Sequence, residues 1–586
     1  MELTSLTAGA GIGHSGFSSP CSSVLQVSEI LRLIFENVHG HDVQENDRDR
    51  LNDLSSLART CKLFKDPALD ALWSTQTSLL PLFRLVSSAL ENDHDPVALE
   101  EAGVSVQDTL VRAKRPFNEA EWSTLSKYSA KVRAFRRRDH IKPPDELDPK
   151  HVLDTSCFYE LFKRDSTSLF PNLRTFHWPL EGVSFNNVVF GNRFIGDRLE
   201  VVDLQLRSRN VETFILDSIK HRCVRLKELV ISSPSHWPLQ SGIWDVLHAP
   251  AAAALKIFHC EVPMDPQLCP VLACLPLLED MRMTLPDPDD AVAFASLLRP
   301  LTHLQNPFLS LRLATIFTPS VAIVAKLLEV IKFTRLKSLS LVFHKADALP
   351  PSSQDLVSLL RALVKNIKHD ILEDIRFLQG TGVHGSVWDE DGPVIHSNVF
   401  KCLTTFKNIK HFDVCVPWGI RFDDDLLRDL APAWPKLETI AFEPSAPWPT
   451  PIPVTFAGIE ALVKYCPALR EITTRIHAEG DSMDHDRLPA SGRSACRVRT
   501  LCVGKSTITD STHVAMVLSS LFPNLKTIVA GPDEGEMRDE EEMESQEKWE
   551  VAGELVPLFV GVRAQERGRA NRVAQMFDAR ANATKE

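Results

Sequence analysis

Two runs of the chain have the glycine spacing G-x-G-x-x-G, Gly11 to Gly16 and Gly380 to Gly385. Such spacing lets backbone wrap a pyrophosphate, provided a strand leads in and a helix follows at once to aim its N-terminal amides at the phosphates. Gly11 has no strand-like sequence ahead of it. Gly380 does follow the alternating "ILEDIRFL", but "SVWDEDGP" comes next, which breaks helices and repels phosphate. A third run, "VGKSTIT" from Val503 to Thr509, has the end of a phosphate loop, yet Arg499 stands where that loop needs its first glycine. Neither H-E-x-x-H nor G-x-S-x-G occurs. Asp289, Asp290 and Asp423 to Asp425 read as helix starts. The 12 cysteines form no C-x-x-C pair and no Cys/His cluster at ligand spacing, so they read as reduced core residues. These residues predict no catalytic centre, no metal and no cofactor.

The elements around them predict a protein-binding molecule instead. A formal charge of −12 over 586 residues argues against nucleic acid or acidic lipid as partner. The one basic run, Lys131 to Lys142, reads as a solvated helix end that complements the helix dipole. No window has the roughly 18 apolar residues of a membrane span. The N-terminus lacks the basic start and apolar run of a secretory signal, so a cytoplasmic or nuclear address is expected.

From Leu169 onward one short pattern returns: an apolar anchor, two mostly polar positions, then an alternating apolar stretch. The anchors are Leu173, Leu199, Leu226, Leu255, Leu278, Leu336, Leu372, Ile409, Leu437, Leu469, Val498 and Leu525. The long gap after Leu278 accommodates one more unit, Thr302 to Ala314, where Leu309, Leu311 and Leu313 alternate as a strand would. Segments of helical spacing lie between the strands, among them Asn210 to Arg222, Thr318 to Phe333, Ser352 to Ile367 and Asp510 to Phe522, with Thr318 and Asp423 as expected caps. The strand cores resemble leucine-rich repeats. The family's L-x-x-L-x-L is approximated by Leu226/Leu229/Ile231, Leu336/Leu339/Leu341 and Leu437/Ile440/Phe442, while its closing Asn or Cys is irregular. The resemblance implies an irregular solenoid with a curved parallel sheet. Two exposed loops, residues 380–393 and 443–453, are the expected recognition elements.

Near the N-terminus, Val27, Ile30, Leu31, Ile34, Phe35 and Val38 make a broad apolar stripe on one helix. Leu51, Leu54, Leu57, Ala58 and Cys61 mark a second. A third is expected to start at Asp66 with Pro67 in its first turn and to bury Leu69, Leu72 and Trp73. Three helices in about 50 residues cannot cover all these groups by themselves. "VSEILRLIF", then Leu57, Ala58, Cys61, Lys62 and Phe64, then Leu72 and Trp73, resemble an F-box in order and spacing, although the family's opening proline is missing beside Val27 and Ser28. The resemblance implies docking on a Skp-family adaptor of a cullin ubiquitin ligase through Ile30, Leu31, Ile34, Phe35, Leu57, Phe64, Pro67, Leu69, Leu72 and Trp73, with a protein client held by the repeats. The alternative is a repeat scaffold without a ligase role.

The expected fold is therefore α/β: an N-terminal three-helix F-box-like module followed by an irregular leucine-rich-repeat solenoid. The expected boundaries are a disordered N-terminus at 1–22, the module at 23–75, a helical linker at 76–164, the solenoid at 165–531 and an acidic, partly disordered tail at 532–586, whose last stretch from Lys548 to Phe577 reads equally as a capping helix or a loose tail.

Overall fold

The computed structural model describes residues 28–39, 47–101, 105, 108–137, 151–164, 169–206, 209–233, 242–263, 265, 267–286, 298, 301, 303–304, 306–343, 351–380, 395–416, 418, 420–442, 454–478, 496–531 and 540–583. The chain divides into two units, Met1–Leu226 and Lys227–Glu586.

The first unit opens with helices α1 (Ser28–His39), α2 (Asp47–Thr60) and α3 (Lys62–Ser74). Helix α3 starts earlier than its proline suggests: Cys61 precedes it in extended backbone, and Pro67 lies inside it. Proline in a helix forfeits the hydrogen bond to the carbonyl four residues back. Here that carbonyl belongs to Leu63, an exposed residue, so water can satisfy it.

Strand β1 (Thr75–Gln76) follows α3 directly and pairs in parallel with β2 (Ala134–Phe135), which pairs with β3 (Thr175–Trp178) and that with β4 (Val201–Gln205). The register runs Thr75, Ala134, Thr175, Val201. The expected helical linker at 76–164 is thus corrected, because it carries a rung of the sheet. Helix α4 (Glu119–Ser129) stops at Ser129, and buried Val132 stands two residues ahead of β2 as the repeat anchors stand ahead of theirs. The basic run beginning at Lys131 therefore enters a strand rather than ending a helix. The same segment contributes a small sheet, in which Leu90–Asp93 runs antiparallel and His151–Leu153 parallel to Thr109–Ala113.

In the second unit, the described residues form eleven parallel neighbours in chain order: β5 (Glu228–Ser232), β6 (Ile257–Pro263), β7 (Asp280–Thr284), β8 (Leu313–Thr318), β9 (Ser338–Phe343), β10 (Asp374–Gln379), β11 (His411–Cys415), β12 (Thr439–Phe442), β13 (Glu471–Thr473), β14 (Thr500–Gly504) and β15 (Thr527–Ala530). Every anchor lies two residues before its strand, and the anchors are buried except Leu525, which is half-buried at the end of the stack. Within a strand, side chains alternate between faces, so the two inward positions complete the L-x-x-L-x-L core. Leu339 and Leu341, Ile375 and Phe377, and Phe412 and Val414 fill them on successive rungs.

The added unit after Leu278 exists, but its register differs from the expected alternation. Leu311 is the anchor, Ala314 and Ile316 point inward, and Leu309 and Leu313 are exposed. Leu309 precedes the strand beside a left-handed turn residue, Phe308 (φ 54°), so three leucines at alternate positions do not share one face.

The predicted intervening helices hold their places: α5 (Arg209–Arg222) in the first unit, and α6 (Val321–Val330), α7 (Ser353–Asn366), α8 (Asp424–Ala433) and α10 (Ser511–Leu521) in the second, where α9 (Phe456–Tyr465) joins them between α8 and α10. Asp423 and Asp510 cap α8 and α10 through their carboxylates. Helix α6 is capped by Ser320 rather than Thr318, because buried Thr318 ends β8 and turns its hydroxyl to the Ser320 carbonyl.

The C-terminal segment is a helix, α11 (Glu540–Ala583), which is the first of the two expected alternatives, a capping helix or a loose tail. The last rung of a stack leaves an apolar face that something must cover. Trp549, Ala552 and Val556 are the buried residues of α11, and the Trp549 indole donates to the Ser506 carbonyl at 2.8 Å. Arg563 donates to Ser519 Oγ and the Met516 carbonyl on α10. The acidic residues 532–539 lie outside the described residues. No described helix is long and apolar enough to cross a membrane.

Candidate protein-docking surfaces

The N-terminal helices divide the expected docking residues into two sets. Leu31, Phe35, Leu54, Ala68 and Ala71 form the module's own core, with Leu57, Ala58, Phe64 and Leu72 packed against it. The Phe35 and Phe64 rings meet edge to face at 5.6 Å, an arrangement their quadrupoles favour. Pro67 is buried, and Ile30 and Leu69 are half-buried. Trp73 is turned into its own chain, where it serves as the anchor of β1 and lies against Tyr128 of α4 at 4.9 Å. Asp70 ties the same join, pairing with Arg32 of α1 at 3.0 Å and with Lys131.

Ile34 is the one member of the expected set that is exposed, at 39%, and Leu33 beside it is exposed to 60%. Leu51 of α2 and Leu63 of α3 are also exposed. The F-box resemblance does not single out Leu33, Leu51 or Leu63 for docking. Each is a large apolar residue within one turn of a core position on its own helix, Leu33 between Leu31 and Phe35, Leu51 before Leu54 and Leu63 beside Phe64.

A second surface comes from the repeats themselves. The residue between anchor and strand is charged on every rung of the second unit: Lys227, Lys256, Glu279, Arg312, Lys337, Glu373, Lys410, Glu438, Arg470, Arg499 and Lys526. From Lys256 onward its backbone carries the sheet ladder one step beyond the strands, each N–H donating to the carbonyl of the preceding rung, as Lys410 does to Glu373 at 2.7 Å. Charge therefore lines the edge where the strands begin. Glu373 bridges Lys410 at 2.6 Å and Lys337 at 3.0 Å, and these hydrogen bonds, Lys410 first, hold its carboxyl below the usual carboxylate range. Asparagines just ahead of the anchors bind the previous rung. Asn172 donates to the Ala130 carbonyl and Asn524 to that of Cys496, both at 2.7 Å.

The phosphate-loop-like segment is structural. The Ser506 hydroxyl accepts from the Ile476 N–H at 2.9 Å, and Lys505 pairs with Glu542 of α11 at 3.0 Å. Gly504 adopts φ 52° where the pairing of β14 with β15 shifts register. Among the described residues, no three His, Cys, Asp or Glu side chains are grouped to hold a metal. Gly11–Gly16, Asp289, Asp290 and the two loops expected to recognise a client, but for Gly380 itself, lie outside the described residues.

No protein-family model matches the chain, and no curated protein does. Among solved structures 63 chains match. One is from the crystal structure of the Rad7 and Elc1 complex in yeast, with 10% identity and a TM-score of 0.28 over 85% of this chain and 97% of that one.

Proposed function

We propose that the chain is a non-catalytic substrate receptor of a Skp-cullin-F-box ubiquitin ligase. The observation that carries this reading is the F-box order of residues set in three short helices whose core is Leu31, Phe35 and Leu54, with Leu33, Ile34, Leu51 and Leu63 left exposed. Exposed large apolar side chains on so small a module favour a partner that covers them. The adaptor would take that face, and the repeats would hold the client. Ubiquitin transfer then follows from proximity, since a rigid receptor raises the effective concentration of a client lysine at a charged enzyme carried elsewhere. No residue of this chain needs to do chemistry.

The test is capture of a purified Skp-family adaptor by the full-length chain. Wild type is expected to retain it. Leu33→Asp with Ile34→Asp is expected to lose it with an unchanged thermal melt, because both residues are exposed. Failure of the folded wild type to bind the adaptor would overturn the proposal and leave the interaction scaffold, in which client half-life is the same for wild type and the double variant.

A further inference from the structure

Helix α11 has a second apolar stripe beside the one that seats it. Trp549, Ala552 and Val556 are buried, while Val551, Leu558 and Val562 are exposed by 47%, 64% and 52%, and Leu555 between them is half-buried. The spacing 551, 555, 558, 562 alternates four and three residues, the period of a coiled-coil seam. Extended in both directions, the same seam meets Lys548, Glu544 and Glu541 toward the N-terminus, and Gln565, Arg569 and Arg572 toward the C-terminus. Glu541, Glu544, Arg569 and Arg572 are exposed, as are all described side chains from Ala564 to Met576 apart from the partly covered Gly568.

This order of residues selects its own occupant. We infer that the stripe binds the same helix of a second copy, running antiparallel. That orientation pairs Leu555 with Leu558 of the second copy and Val551 with its Val562, then Lys548 with its Gln565, Glu544 with its Arg569 and Glu541 with its Arg572. A parallel pairing would instead set Glu541, Glu544, Arg569 and Arg572 each against its own like charge, which repels. The acidic first half and basic second half of one helix are thus complementary only to an inverted copy.

Two glycines add an independent indication. Gly561 and Gly568 stand one heptad apart on the flank of the seam, and among the described residues nothing beyond the adjoining backbone of α11 itself lies within 4 Å of where a Cβ would be. Glycine weakens a helix relative to alanine, and no contact within the chain requires it at either place. A second helix packed closely along that flank would require it.

The test is the mass of the full-length chain in solution over a concentration series, by light scattering. Wild type is expected to rise from 65.6 kDa toward twice that value. Leu558→Glu with Val562→Glu is expected to hold the monomer mass at every concentration, with an unchanged circular-dichroism melt. Glu541→Arg with Glu544→Arg, and separately Arg569→Glu with Arg572→Glu, are each expected to lose self-association, and all four changes in one chain to restore it. A wild type that stays at 65.6 kDa overturns the proposal, whatever else might cover the stripe. So does doubling that survives Leu558→Glu with Val562→Glu, or charge reversals that leave association unchanged, as a parallel pairing requires.

Discussion

The Trp73 indole lies against the Tyr128 ring, centroids 4.9 Å apart and planes at 48°, joining the third N-terminal helix to the helix that precedes β2. Trp73 is therefore a fold residue, placed as the anchor of the first rung. Trp73→Ala is expected to cost about 3–5 kcal/mol, the usual penalty for removing a buried large aromatic. Ile34→Asp is expected to stay within about 0.5 kcal/mol of wild type, as exposed substitutions do. Chemical denaturation of both variants checks the contrast, and equal losses would contradict this division of core from surface.

Glu121 supplies a pH dependence. Both its oxygens accept from Arg115, at 2.7 and 3.0 Å, while the Asn118 N–H donates at 2.8 Å and the Ser88 hydroxyl at 2.7 Å. These bonds, those from Arg115 first, lower its carboxyl from 4.5 to about 2. A depressed folded pKa means stability that is whole above about pH 4.5 and lost as pH falls toward about 2. Glu121→Gln is expected to be less stable than wild type at neutral pH by about 1 kcal/mol, the scale of a helix cap. The gap should close across that acid window, as read by melting temperature against pH.

Asn366, buried at the end of α7, donates to the Leu328 and Glu329 carbonyls at 2.8 and 3.1 Å and so satisfies the last turn of α6. Asn366→Leu removes the donor and leaves the buried Leu328 carbonyl without it, at a cost of about 1–3 kcal/mol. Urea denaturation should show the loss, and a stable Asn366→Leu protein would mean that water reaches these carbonyls.

The thiols should react in order of burial. Burial pushes Cys157, Cys223, Cys269 and Cys466 up to about 12, so none is a thiolate at neutral pH. Cys61 and Cys274 are exposed. Alkylation of the native protein followed by peptide mass mapping is expected to mark Cys61 and Cys274 while sparing the four buried thiols.

Much of this fold was legible because its rule is local. An apolar anchor two residues before a strand, with inward positions three and five residues after the anchor, recurs in the sequence itself, and the period-two alternation of a strand leaves little freedom about which side chains point inward. The core of the three N-terminal helices at Leu31, Phe35 and Phe64 was legible for the same reason, as helix periodicity written in residue spacing. What a single segment does not contain is the identity of its neighbour. Whether Trp73 faces a partner or its own chain depends on Tyr128, 55 positions further on. Whether Leu309 or Leu311 anchors a rung depends on the turn at Phe308, and whether the C-terminal residues are tail or cap depends on the open face of α10. Tertiary packing decided these, because burial of an apolar group is non-directional and takes whichever surface the rest of the chain brings to it.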